Sequence, residues 1–339
     1  MPMLRVPYTD LYTSLLRATE HLGLHGERAA LCARLFAETT RDGVYTHGLD
    51  RFPRFAEMVA NGCIDVNAEP TRAGGAAALE RWDGHLGPGN LNAYAAMERA
   101  IALARQYGLG GVALANTNHW MRGGSYGWLA AEAGVFGLCW TNTLANLPPW
   151  GAATPALGNN PLVIAVPRPA GAHVVLDMAM SQFSYGALAA YSARGAQLPV
   201  PGGYDLAGDL TCDPAAIEAS KRALAIGYWK GSGLSLVLDM LAAMLSGGNA
   251  THQISRDPTR ESGVSQIFLA VDPSGFGARV DLDGIANGIL ESLRTATPID
   301  PDRPVRYPGE QTLHLRQENL RLGVPVNPEV WTKLQALSF

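Results

Sequence analysis

The sequence has little cysteine. Its four cysteines, Cys32, Cys63, Cys139 and Cys212, stand singly, without a C-x-x-C pair and without zinc-type spacing to the histidines. This argues against a disulfide framework and against a zinc site, so we expect reduced thiols and no metal. Reduced thiols are typical of the cytoplasm, and no signal peptide opens the chain, so cytoplasmic localisation is predicted.

The sequence also lacks a large excess of charge of either sign. The 26 basic and 30 acidic residues give a net charge of −4, without a basic stripe for nucleic acid or an anionic membrane surface. The longest apolar run, Leu234 to Leu245, contains Ser235 and Asp239 and is shorter than the ~20 residues that span a bilayer. We interpret this run as a buried core helix. With nucleic acid and membrane disfavoured, a small molecule is the expected partner.

Several motifs that would assign a common enzyme class are missing. No G-x-G-x-x-G follows the first clear β-type run, and neither G-x-x-x-x-G-K-[ST] nor H-E-x-x-H occurs. These absences argue against a conventional Rossmann fold, a P-loop NTPase and a zinc metalloprotease. Acid–base chemistry centred on histidine remains.

The first 62 residues predict three helices. Thr9 is the expected N-cap of the first helix, and the second helix carries an apolar face and ends near Gly43. The third begins with Pro53 near its first turn and stops at Gly62. His47 therefore lies in the connector between the second and third helices.

From about residue 75 the pattern changes to short β-type runs that alternate with helices, which predicts an α/β segment. One helix is predicted over Asn90 to Tyr107, ending at Gly108, and another over Gly231 to Leu245. The predicted strands are Gly111–Ala115, Phe136–Thr141, Leu162–Val166, Val174–Asp177 and Val264–Val271.

The last 30 residues return to helix, with Leu313, Leu320 and Leu334 as apolar anchors, and are predicted to dock on the N-terminal helices. Pro298 to Pro308 predicts a surface loop, and a linker is an equally good interpretation. At ~150 residues per domain the length suggests two domains. We predict a helical domain of residues 1–74 plus about 297–339, and an α/β domain of residues 75–296.

His47 and Arg51 stand close together in the connector, with Arg54 just beyond them. A histidine with its ordinary pKa near 6.5 suits a general acid or base. Arginine guanidinium groups bind a carboxylate through paired N–H donors. The alternatives are a histidine that caps a carbonyl and arginines at a solvated helix start. Taken together, the three residues favour carboxylate chemistry.

A second polar cluster, Asn116 to Trp128, follows a predicted strand and precedes a predicted helix, where α/β proteins place their ligand loops. Within it, His119 and Arg122 are candidates to bind anionic or hydroxyl groups. The alternative is a turn whose aromatic residues seal the core, and the residues alone leave both interpretations open.

Two further stretches are candidates. His173 to Ala179 is a β-type run that contains Asp177, a carboxylate that either orients His47 or caps a helix. Gly227 to Gly233 leads into a helix whose start suits a phosphate, with Lys230 adding charge. A plain turn is the more common meaning of Gly-Ser-Gly before a helix.

Four motifs, in this order, resemble the type-2 malate/L-lactate dehydrogenase family: T-H-G-x-x-R at 46–51, N-H-W-M-R-G-G at 118–124, V-L-D-M-A at 175–179 and P-G-E at 308–310. The resemblance implies a nicotinamide cofactor, NADH with NADPH possible, on a non-Rossmann mixed-sheet α/β domain. It also implies a helical domain formed by both chain ends, and a homodimer whose active site lies near the subunit boundary.

The resemblance further implies roles for single residues. His47 would protonate a substrate carbonyl oxygen while hydride reaches the carbon, and Asp177 would support the charged imidazole. Substrate contacts are implied for Thr46, Arg51, His119 and Arg122. Cofactor contacts are implied for His173, Val174, Val175, Leu176, Asp177, Met178, Ala179, Trp229, Lys230, Gly309, Glu310 and Gln311.

The substrate implied by the resemblance is a 2-oxo sugar acid, with 2,3-diketo-L-gulonate reduced to 3-dehydro-L-gulonate as the first candidate. The flat rings of Trp120, Tyr126 and Trp150 suit a large polyhydroxylated substrate. Thr46 stands where serine is common in the family, and its extra methyl group leaves the exact substrate open.

Other substrates remain: 2-oxo acids of the malate, lactate or sulfolactate type, or a cyclic imine carboxylate. From different classes, a cofactor-free isomerase or lyase acting on a sugar acid through His47 and Asp177, or a non-catalytic sugar-acid binding protein, also stays open.

Overall fold

The computed structural model describes residues 4–257, 259–277 and 280–337. Its strands are β1 (Leu4–Val6), β2 (Thr71–Ala76), β3 (Leu79–Asp83), β4 (Leu109–Asn118), β5 (Phe136–Thr141), β6 (Leu162–Val166), β7 (Val174–Met178), β8 (Gly203–Tyr204), β9 (Leu210–Thr211), β10 (Arg222–Ala223), β11 (Ser262–Val271) and β12 (Val324–Val326). Its α-helices are α1 (Tyr8–His21), α2 (Gly26–Arg41), α3 (Phe52–Ala60), α4 (Gly89–Tyr107), α5 (Gly124–Glu132), α6 (Tyr185–Ala193), α7 (Pro214–Ser220), α8 (Trp229–Ser246), α9 (Thr251–Ile254), α10 (Leu282–Arg294), α11 (Glu310–Leu322) and α12 (Pro328–Leu337).

The central sheet contains seven strands in the order β2-β3-β4-β11-β5-β6-β7. Strands β3 and β4 run parallel, whereas the other neighbouring pairs are antiparallel. The predicted α/β segment is therefore confirmed, and each of the five predicted strands is present. A conventional dinucleotide-binding fold has a mostly parallel sheet, so the non-Rossmann architecture is confirmed as well.

Side chains along the two central strands point alternately to the two faces of the sheet, and helices pack on both faces. On β4, Val112 and Leu114 pack with the alanine-rich face of α4, while Ala113 faces the opposite side and packs with Leu238 of α8. Gly110 permits the close approach of α4, because an added Cβ there would lie 2.1 Å from the carbonyl oxygen of Ala100. The sheet is thus a buried layer between helices.

The two chain ends meet. Strand β1 pairs antiparallel with β12, and the helices α1, α2 and α3 share one hydrophobic core with residues of β12 and α12, including Val326 and Trp331. The helical part is therefore built from both ends of the chain, as the resemblance implied. The predicted domain boundaries near residues 75 and 297 stay predictions.

Most predicted helix ends agree with the structure, and two details do not. Helix α4 ends at Gly108, which has a left-handed φ of +85°. Pro7, not Thr9, occupies the N-cap position of α1, and no side chain caps that helix. Leu320 is 54% exposed because the inward position on α11 is taken by the neighbouring Asn319, whose amide donates to the carbonyl oxygen of Arg41.

The apolar run near residue 240 forms the predicted helix α8, but the prediction that it is a buried core helix is wrong. Leu238 and Ala242 face the sheet, while Val237, Met240 and Met244 are 48%, 50% and 74% exposed. A helix on one face of a sheet can bury only one side, so the opposite side stays open. Within the described residues, no helix is both long and apolar enough to cross a membrane.

Candidate active site

The loop that carries His47 is built from two short 3-10 turns, Tyr45–His47 and Leu49–Arg51, between α2 and α3. The Thr40 hydroxyl accepts a hydrogen bond from the Leu49 backbone N–H at 2.8 Å, which ties the loop to the end of α2. The predicted place of His47 between two helices is confirmed.

A second loop joins β4 to α5 and carries His119. The Asn118 amide donates to the carbonyl oxygens of Leu86 and Gly87, and Met121 adopts a left-handed φ of +63°. The Met121 N–H donates to His119 Nδ1 at 3.0 Å, so the neutral ring carries its proton on Nε2. The ring of His119 stacks on the ring of His47 with centroids 5.7 Å apart. The two predicted loops therefore meet.

A cavity of about 1040 Å³ opens beside these two rings. This volume is at the upper end of the ~300–1,000 Å³ typical of small-molecule sites, which leaves room for more than one small ligand. The predicted site residues that line the cavity are Thr46, His47, Arg51, His119, Arg122, Val175, Leu176, Asp177, Ala179 and Gly309.

The remaining predicted cofactor residues lie outside the cavity lining. They are His173, Val174, Met178, Trp229, Lys230, Glu310 and Gln311. The Glu310 carboxylate pairs with Arg294 at 2.9 Å, and the Gln311 amide accepts from Arg306. Trp229 and Lys230 begin α8 on the exposed surface.

Of the two arginines that follow His47, only Arg51 reaches the cavity. Its Nη2 donates to the Glu261 carboxylate at 2.6 Å. Arg54 instead donates to Glu57 at 2.8 Å and to the carbonyl oxygen of Thr259 at 2.7 Å. The hypothesis that both arginines clamp one carboxylate is therefore wrong for Arg54, whose guanidinium is committed elsewhere.

Arg122 is held from behind by Asp42, a residue that the sequence analysis missed. The Asp42 carboxylate accepts a hydrogen bond from Arg122 Nη1 at 2.8 Å and one from Arg41 at 2.8 Å. It also accepts two from Arg316, from Nε at 2.9 Å and from Nη2 at 2.7 Å. Burial opposes ionisation of Asp42, but the Arg316 hydrogen bond and the Arg122 and Arg41 charges outweigh it and lower its pKa to about 2. Asp42 thus joins α2, α11 and the β4–α5 loop.

Of the two roles that the sequence left open for Asp177, the structure shows one. Its Oδ2 accepts from the Gly124 N–H at 2.7 Å, so the carboxylate stabilises the N-terminus of α5. The same charge raises the pKa of His47. Helix capping is thus observed, whereas a role of Asp177 in orienting His47 stays a prediction.

The two histidines are electrostatically disfavoured as cations. Burial is the largest influence on His47 and lowers its pKa; the charges of Arg51 and Arg122 lower it further, against the opposing charge of Asp177. Burial and the Arg51 charge lower the pKa of His119 well below its ordinary value. At neutral pH both rings are therefore mainly uncharged, and added negative charge in the cavity would favour protonation of His47.

The cavity lining contains both polar and aromatic side chains, and Trp120, Trp128 and Tyr185 are the aromatic ones among the described residues. Tyr126 is buried in the sheet core, and Trp150 lies outside the cavity and packs against Tyr228. The expectation that flat rings face a large substrate is therefore wrong for Tyr126 and Trp150, whereas Trp120 does line the cavity. The polar lining residues that the sequence analysis did not select are Thr141, Thr143, Asn146, Asn159, Ser184, Tyr185, Ser255, Glu261 and Thr312. They lie on strands, helices and loops between residues 141 and 312, so no short-range spacing could have grouped all of them.

Comparison with known proteins agrees with this geometry. A family model described as malate/L-lactate dehydrogenase matches residues 6–335. A 2,3-diketo-L-gulonate reductase of Shigella boydii serotype 4 (strain Sb227) is 45% identical over 334 residues, which cover 98% of this chain and all of the relative.

Solved structures are similar over the same length. A sulfolactate dehydrogenase of Methanocaldococcus jannaschii is 25% identical with a TM-score of 0.89, covering 98% of this chain and 96% of its own. A delta1-piperideine-2-carboxylate reductase of Pseudomonas syringae pvar. tomato is 28% identical with a TM-score of 0.87, covering 98% and 99%. The full-length match, the mixed sheet and the converging loops establish that this chain is an oxidoreductase of the malate/L-lactate dehydrogenase family.

Proposed function

We propose that the protein is an NADH- or NADPH-dependent reductase of a 2-oxo sugar acid, with 2,3-diketo-L-gulonate as the first candidate and His47 as the proton donor. The observation that carries the proposal is the convergence of His47, Arg51 and Asp177 on one cavity. Full-length identity of 45% to a 2,3-diketo-L-gulonate reductase supports the choice of substrate.

Membership of a dehydrogenase family implies a nicotinamide cofactor. The described residues fit such a group. The carbonyl oxygen of Pro308 accepts a hydrogen bond from the Val175 N–H at 3.0 Å, so Gly309, the N-cap of α11, lies against β7 and lines the cavity together with Thr312. Unpaired N–H groups at a helix N-terminus suit a dinucleotide phosphate. When bound, the cofactor would supply a hydride to the carbonyl carbon.

The reaction then requires a proton at the carbonyl oxygen. The Thr46 hydroxyl lies 3.1 Å from His47 Nδ1, which leaves Nε2 for the substrate. Arg51 binds the substrate carboxylate, whose negative charge joins that of Asp177 in raising the pKa of His47. Protonation of His47 is thus favoured when the anionic substrate is bound, which is when the proton is needed.

The first test is oxidation of NADH and of NADPH, followed by absorbance, with 2,3-diketo-L-gulonate, pyruvate, oxaloacetate and a cyclic imine carboxylate in parallel. Preference for the diketogulonate supports the proposed substrate. Preference for another acid keeps the reductase assignment and rejects this substrate. A lack of cofactor oxidation with all of them would reject the reductase proposal and reopen the cofactor-free hypothesis.

The role of His47 is tested by His47→Ala. We expect turnover to fall by roughly 10²–10⁴-fold, because that is the usual contribution of a positioned acid, while cofactor binding persists. His21→Ala, at the exposed end of α1, is the matched control. Unchanged turnover in the His47 variant would remove this residue from the catalytic role.

The exposed side of α8 supports a homodimer. Val237, Met240, Leu241 and Met244 recur at helical spacing and are 40–74% exposed. A contiguous apolar helix face of this kind is typical of a subunit interface. We expect light scattering to give a dimer for the wild type and a monomer for Met240→Glu combined with Met244→Glu; a wild-type monomer would contradict the proposal.

A further inference from the structure

The ion pair between Arg51 and Glu261 lies inside the candidate active site. Glu261 directly precedes β11, and its Oε2 is 2.6 Å from Arg51 Nη2. The two side chains are 29% and 19% exposed, and both line the cavity. A substrate carboxylate bound to Arg51 would therefore share this guanidinium with a carboxylate of the protein.

Arg51 is the more accessible of the two arginines at the cavity. Among the described residues, the arginine and carboxylate side chains that line the cavity are Arg51, Arg122, Asp177 and Glu261. The Arg122 side chain is 5% exposed and is paired with Asp42 at 2.8 Å. Arg51 is thus the more exposed of the two guanidinium groups, and its Nη2 is already paired with Glu261.

Besides these charged groups and the two histidines, the polar side chains of the lining carry hydroxyl and amide groups. The Ser255 hydroxyl accepts a hydrogen bond from the Ala145 N–H at 2.8 Å, which holds the loop around Ala145 in place. Asn159 Oδ1 accepts from the Thr143 hydroxyl at 3.1 Å and from the Asn146 amide at 3.3 Å. Hydroxyl and amide groups of this kind match the hydroxyls of a sugar chain and supply no positive charge to a carboxylate.

From these observations we propose that Glu261 determines specificity, selecting 2-oxo acids with a single carboxylate and an uncharged, hydroxylated remainder over dicarboxylates. The inference rests on the proposed reductase function and names its substrate class. One carboxylate fits the free edge of the Arg51 fork. Arg122 is almost fully buried and paired with Asp42, so a second carboxylate is repelled by Glu261, and like-charge contact of this kind is a strong means of rejection.

The test compares two four-carbon acids that differ in one carboxylate, 2-oxobutanoate and oxaloacetate. For the wild type we expect a higher kcat/KM with 2-oxobutanoate. In Glu261→Gln, the ratio of the two kcat/KM values should shift toward oxaloacetate by about tenfold or more, because one repulsive charge is removed at short range. Where both acids are poor substrates, the same ratio is taken from their inhibition constants against 2,3-diketo-L-gulonate.

Two control variants separate the effect of the negative charge at position 261 from a structural effect of the substitution. Glu261→Asp keeps the charge and should keep the wild-type preference. Glu57→Gln removes the carboxylate paired with Arg54 outside the cavity and should leave the ratio unchanged. A loss of Arg51 orientation alone would lower both activities together and leave their ratio constant.

Three results would overturn the inference: a wild-type preference for the dicarboxylate, an unchanged ratio in Glu261→Gln, or an equal shift in Glu261→Asp. If the protein still reduces 2-oxo acids, each of these results rejects the role of Glu261 and keeps the proposed function. A wild-type protein that reduces no 2-oxo acid rejects the proposed function, and the inference with it.

Discussion

Replacing Asp42 by asparagine should destabilise the fold more than any surface charge change. The side chain of Asp42 is 1% exposed and accepts hydrogen bonds from Arg41, Arg122 and Arg316. Asparagine has nearly the same shape but no charge, so the substitution leaves buried guanidinium groups without their carboxylate. Breaking a buried ion pair in this way typically costs ~3–5 kcal/mol.

The lowered pKa of Asp42 has the same sign and gives a smaller magnitude. It falls from 3.8 to about 2 on folding, which at about 1.4 kcal/mol per pKa unit corresponds to about 2 kcal/mol. Because the folded pKa is the lower one, this stabilisation is present above pH 3.8 and is lost as the pH falls toward 2. Replacement also strands the cations, so we expect a loss of at least about 2 and up to ~5 kcal/mol at neutral pH.

The assay is urea unfolding at pH 7, followed by both circular dichroism and tryptophan fluorescence, since coincident curves are needed for a single free energy of unfolding. Glu38→Gln is the matched control on the same helix. The Glu38 carboxylate lies 3.7 Å from Arg41 and is 33% exposed, so this substitution should lower the free energy of unfolding by less than about 1 kcal/mol. A loss in Asp42→Asn no larger than in this control would refute the reasoning.

The remaining predictions concern the cavity. Arg51→Ala should raise KM in steady-state kinetics with little change in kcat, and a selective fall in kcat would contradict simple carboxylate binding. In Asp177→Asn the pKa of His47 should fall, so the decline of reductase kcat/KM with rising pH should move to lower pH; an unmoved pH profile would argue against the coupling. Gly186→Ala should reduce kcat/KM several-fold, because the added Cβ would lie 2.9 Å from the Thr46 methyl carbon. Combining it with Thr46→Ser, which removes that methyl group, should restore activity.

Local pattern was a good guide to single elements. The alanine-rich stretch before Gly108 could only be a helix with a left-handed end, and the β-type runs around residues 112 and 267 became the two central strands. The place of His47 between two helices also followed from Gly43 and Pro53, because these residues end and begin helices for local steric reasons.

Burial and pairing could not be obtained in that way. Nothing in the run around Met240 indicates which side of α8 faces the sheet, and the side that packs carries the polar Asp239, which binds Asn142 and the Thr251 N–H. The partners of Arg51 and Arg122 lie 210 and 80 residues away along the chain. Contacts over such separations are set by the topology, not by local spacing.

The sequence by itself determined the elements and, through four separated motifs, the family and the residues to consider for chemistry. Only the tertiary structure decided which of them share a cavity, that Arg51 is paired with Glu261, that Asp42 holds Arg122, and that burial lowers the pKa of His47. The physical reason is that helix and strand formation depend on neighbours a few residues apart. Charge, burial and specificity depend on groups that folding brings together from distant parts of the chain.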